Sequence, residues 1–97
     1  MLTKDKILKT IQQHANEFSA YGVKKVGIFG SFVRSSQNSK SDIDVLVEFN
    51  KGNKTFGNYM ELKFYLERLF HRKVDLIIKD ALKSRIKGRV LSEVKYA

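Results

Sequence analysis

The 97 residues include no cysteine and no proline. The first absence excludes disulfides, thiolate metal sites and cysteine nucleophiles; the second means only that no turn depends on a fixed φ. No apolar run approaches the roughly 18 residues that a membrane span needs, and the N-terminal MLTKDKILKT has no signal-peptide core. A cytoplasmic location, without a membrane partner, is the expectation. Acidic residues are also scarce, with 10 Asp and Glu against 19 Lys and Arg, giving a formal net charge of +9. Such an excess suits an anionic partner: nucleic acid, nucleotide phosphates or an acidic protein surface. The densest basic groups, Lys24-Lys25, His71-Arg72-Lys73 and Lys83 to Arg89, are nonetheless short. Scattered solvated charge explains them as well as a functional basic face does.

With 42% hydrophobic and 30% charged residues the chain reads as globular, and its length as one domain spanning 1–97. Ile7, Leu8, Ile11, Ala15 and Phe18 recur at helical spacing behind a Thr3 cap with Asp5 in the first turn. This predicts one amphipathic helix over 3–19. Lys25 to Phe29 forms a short buried strand running into Gly30-Ser31. After the polar run Ser35 to Lys40, residues 42–49 alternate strictly: Ile43, Val45, Val47 and Phe49 on one face, Asp42, Asp44, Leu46 and Glu48 on the other. Asn50 to Gly57 reads as a loop. Asn58 and Glu61 make a capping pair for a helix that carries Tyr59, Leu62, Leu66, Leu69 and Phe70 to about His71. Val74 to Ile78 is a third strand, with Asp75 on the face opposite Val74, Leu76 and Ile78. A last helix runs from Asp80 through Leu91, with Asp80 as its cap and Gly88 weakening it. The sum is an α/β (α+β) arrangement: a small mixed β-sheet of about three to four strands covered by helices.

If the strands starting at 42 and 74 are neighbours, Asp42, Asp44 and Asp75 share one face. Three converging carboxylates repel unless a positive charge sits among them. Hard oxygen ligands suit magnesium, which takes one or two carboxylates, waters and substrate phosphates. A glycine just after a strand lets the backbone approach a phosphate, and a helix starting at Ser31 would aim N–H groups at it. His14 and His71 have no partners at metal-ligand spacing.

Gly30-Ser31, ten residues, then Asp42-Ile43-Asp44 resembles the G-S-x10-D-x-D signature of the DNA polymerase β-like nucleotidyltransferases. Lys73-Val74-Asp75-Leu76-Ile77 is similar to their third-aspartate strand. The resemblance covers nearly the whole chain and is nearest to the minimal nucleotidyltransferase (MNT) family of stand-alone catalytic domains. Three positions depart from the family pattern: Val33 for alanine and Ser35 for glycine after the Gly-Ser turn, and His71 where a glycine often precedes the third strand. The resemblance implies a polymerase β-like fold and transfer of AMP from ATP to a hydroxyl. It implies Asp42, Asp44 and Asp75 as catalytic ligands of Mg2+ (or Mn2+), with Gly30, Ser31 and Arg34 at the nucleotide, Arg34 being read equally well as a surface salt bridge or as support for the aspartates. It also implies a HEPN ribonuclease toxin as partner, the transferase being the antitoxin that adenylylates a toxin tyrosine and assembles with it.

Two other readings stand beside this one. A catalytically silent antitoxin acting by contact alone would have no use for three intact aspartates, since burying unused carboxylates costs stability. A nucleic-acid-directed enzyme accords with the charge, but the chain has no RNA-binding signature, and Phe29, Phe49, Phe64 and Phe70 fall at predicted core positions.

Overall fold

A computed structural model describes residues 1–97. In chain order the elements are α1 (Lys4–Gln13), α2 (Ala15–Ala20), β1 (Val23–Phe29), a 3-10 turn (Gly30–Phe32) and β2 (Ile43–Phe49). They continue with α3 (Phe56–Phe70), β3 (Val74–Ile78), a second 3-10 turn (Lys79–Ala81), α4 (Ser84–Glu93) and β4 (Lys95–Tyr96). The four strands form one sheet in the order β3-β2-β1-β4. β2 and β3 are parallel, while β1 runs antiparallel to both β2 and β4. The mixed sheet with helices agrees with the sequence expectation; β4, at two residues, is too short for alternation to reveal.

Alternation decides what each sheet face does. Val26 and Ile28 of β1, Ile43, Val45 and Val47 of β2, and Val74 and Leu76 of β3 are buried together with Ile7, Ile11, Phe18, Phe32, Leu62 and Leu66. Burying that apolar set is the main force holding α1, α2 and α3 to the sheet. The other face carries Asp44 and Asp75 at one end and the buried Leu46 in its middle. Val90 of α4 lines a cavity with both aspartates, so α4 lies against this second face.

Several boundaries differ from the sequence reading, each for a local reason. The helix expected over 3–19 is two helices. At His14 the backbone N–H donates to Ile11 (3.1 Å) and the ring Nδ1 takes the Thr10 carbonyl (2.8 Å) that a continuous helix would have given the backbone. The Thr3 cap is present, its Oγ1 accepting from Lys6 N at 3.3 Å. α3 starts before Asn58: Thr55 is the cap, with Oγ1 accepting from Asn58 N at 3.1 Å. Asp80 caps no helix; it sits exposed in the second 3-10 turn, 3.5 Å from Lys54 Nζ, and α4 begins four residues later. Phe64, expected in the core, is 49% exposed, and Phe32 fills the interior instead.

Candidate active site

The register of the parallel pair does most of the positioning. Ile43 pairs with Val74, Asp44 with Asp75 and Val45 with Leu76, so Asp44 and Asp75 are directly opposed on adjacent strands. Across β1, Phe29 pairs with Asp44, which puts the end of β1 and the following Gly30 beside the same carboxylate. Gly30 has φ 79°, and a β-carbon there would strike the Asp44 carboxyl group. Only glycine satisfies both the left-handed backbone and the close approach.

Asp44 is the electrostatic centre. Burial, then the charges of Asp75 and Asp42, push its pKa up from 3.8 to about 6, with Arg34 opposing and Glu93 adding to the rise. Burial is the first cause, and the repulsion of Asp75 and Asp42 comes after it. Asp42, exposed one residue before β2, does not line the cavity, yet its charge reaches Asp44.

A cavity of about 500 Å³ opens over this face. Gly30, Arg34, Asp44 and Asp75 line it on the sheet side, and Lys83, Arg85 and Arg89 come from α4 and its approach. Ser31, also expected at the nucleotide, sits in the 3-10 turn outside the cavity lining. That turn is a single one, Gly30–Phe32, not the start of the helix that was expected at Ser31. Carboxylates sharing one cavity with guanidinium and ammonium groups suit a ligand that carries phosphates and a divalent cation together. No three histidine or acidic side chains stand arranged as a preformed metal cage. The chemistry of Asp44 and Asp75, hard oxygen donors with unbalanced charge, fits magnesium completed by water and substrate phosphate.

Glu93, at the end of α4, was missed by sequence reasoning. Its Oε1 accepts from Gly30 N at 2.7 Å and from Arg34 Nη1 at 3.0 Å, and Oε2 lies 3.1 Å from the same Nη1. The available signal was that Glu93 is the single acidic residue after Asp80. Arg72, counted with a basic cluster, instead donates from Nη1 to the carbonyls of Asn38 (3.2 Å), Ser39 (3.4 Å) and Ser41 (3.0 Å) and stacks on Phe32. It pins the loop that delivers Asp42.

The nucleotidyltransferase domain family matches residues 5–97. The chain belongs to that family. The protein adenylyltransferase MntA of Thermococcus cleftensis is 40% identical over 97 residues, covering 99% of this chain and 97% of the relative. A solved minimal nucleotidyltransferase superposes with a TM-score of 0.82 at 28% identity, over 97% of this chain and 95% of its own. The fold also matches a chain from the complex of a tri-AMPylated Shewanella oneidensis HEPN toxin with an MNT antitoxin. There the TM-score is 0.58 at 19% identity, over 88% of this chain and 69% of the other. Within this nucleotidyltransferase, two of the departures from the family pattern keep a glycine-like backbone: Ser35 has φ 58° and His71 φ 51°. The turn after Arg34 therefore bends as a glycine would bend it.

Proposed function

We propose that the 97 residues act as one catalytic domain, a protein adenylyltransferase that moves AMP from ATP to a hydroxyl of a HEPN toxin and so serves as its antitoxin. The observation that carries this reading is the Asp44–Asp75 register pair, in a cavity shared with Gly30, Arg34 and the α4 cations. The kinship with a protein adenylyltransferase along nearly the whole chain supports AMP as the transferred group.

Gly30 N–H and Arg34 offer donors to the triphosphate, and Lys83, Arg85 and Arg89 balance its charge from the α4 side. Asp44 and Asp75, with Asp42 beside them, would hold magnesium, which when bound offsets the repulsion between carboxylates and phosphates. The acceptor oxygen forms its bond to the α-phosphorus as the α–β anhydride bond breaks and pyrophosphate leaves. Asp75, exposed at the second residue of β3, would help hold the ion and so favour loss of the acceptor's proton. Asp44→Asn and Asp75→Asn should each cut transfer of label from α-labelled ATP by at least about 100-fold, with the fold retained in thermal melts. Full transfer by either variant would contradict the mechanism.

A further inference from the structure

Glu93 occupies the place that substrate should want. Its carboxylate takes the Gly30 N–H at 2.7 Å and the Arg34 guanidinium at 3.0 and 3.1 Å. A backbone N–H behind a strand and a guanidinium form the donor pair that recognises a phosphoryl oxygen. The carboxylate is also out of keeping with its surroundings. It ends α4, where the helix dipole disfavours negative charge, and it adds to the repulsion already felt by Asp44. What holds it there is the pair of donors.

Its tether is light. α4 buries only Val90, has no side-chain cap at its start and contains Gly88, which faces open space. Beyond Glu93 the chain is fastened by two residues of β4, paired to Gly27 and Ile28, by Val94 and Tyr96 resting on Gly27, by Lys25 Nζ over the Tyr96 ring at 5.1 Å, and by Ala97 N donating to Val26 at 3.0 Å. Segments with so few buried contacts open at low cost.

We propose that Glu93 is a tethered stand-in for a substrate phosphate, holding the Gly30 and Arg34 donors until nucleotide displaces it and loosens the α4–β4 end. This rests on the reading of the cavity as a nucleotide site and adds that the C-terminal segment sets nucleotide affinity. Glu93→Gln keeps the side chain's shape and removes the charge that phosphate must evict. With α,β-methylene ATP and magnesium in calorimetry, it should bind roughly three- to tenfold more tightly than the unmodified chain.

Hydrogen exchange supplies a second readout. In the unmodified chain, adding the same analogue should speed exchange of the Lys95–Ala97 amides by at least about threefold. Equal or weaker binding by a Glu93→Gln protein that melts normally would overturn the proposal, making Glu93 a support for Arg34. If the variant melts early, exchange decides, and unchanged or slower exchange in the presence of the analogue overturns the displacement. Absence of binding to both proteins would sink the nucleotide reading itself, and this inference with it.

Discussion

A residue with a β-carbon held at positive φ costs its fold about 1 kcal/mol, and this chain holds two, Ser35 at 58° and His71 at 51°. Ser35→Gly and His71→Gly should each raise stability by about 0.5–1 kcal/mol, a gain of a few degrees in melting temperature. A fall in either would show that the side chain contributes more than the strain costs. Asp44 makes a prediction of the opposite kind. Its pKa of about 6 lies above the ordinary 3.8, so the folded state holds this proton more tightly than the unfolded state does. The resulting stabilisation is complete below about 3.8 and is lost as pH rises through about 6. In metal-free buffer, Asp44→Asn should therefore melt close to the unmodified protein near pH 4 and a few degrees above it near pH 7. A gap independent of pH would contradict this assignment. Asp44 and Asp75 were legible because strand parity fixes their shared face, whereas Asp42, one residue before β2, falls outside that parity and outside the cavity lining. Glu93 was not legible, because a hydrogen bond across 63 positions leaves no local pattern.

Elements were legible where periodicity ran long and were misplaced where a single side chain decided the boundary. β2 and β3 came from alternation, and α3 from its Leu62 and Leu66 face. The break at His14 turned on one ring nitrogen taking the Thr10 carbonyl, and the start of α3 on which of two nearby polar residues was the cap. The loop before β2 is a further case: its polar sequence says only that it is exposed, while Arg72 gives it a fixed shape through three carbonyls. Removing that clamp should act on both stability and chemistry. Arg72→Ala should lower stability by about 1–2 kcal/mol and slow AMP transfer more than it weakens ATP binding, because the loop leads into Asp42. Unchanged transfer in a destabilised protein would confine Arg72 to structure.

At the scale of the whole molecule, the adjacency of β2 and β3 was only a condition in the sequence reading; the structure meets it with a parallel pair linked by α3, which brings two carboxylate-bearing positions together. The charge of +9 was the least informative feature at the sequence level. The structure puts part of it to use: Lys83, Arg85 and Arg89 share one cavity with the carboxylates, whereas Arg72 is taken up by a loop. No helix is long and apolar enough to cross a membrane. In-line attack needs a hydroxyl held within about 3–3.5 Å of the phosphorus, and in the proposed function the acceptor's own surface supplies that positioning. Competition between acceptors tests this most directly. The chain would be incubated with α-labelled ATP, magnesium, a cognate HEPN toxin and an equal amount of RNA, at low and at raised salt. The account predicts label on the toxin, little on RNA or on the chain itself, and slower labelling as salt screens the basic surface. Label on RNA with the toxin untouched would contradict it, as would a toxin silenced by binding with no label on either molecule.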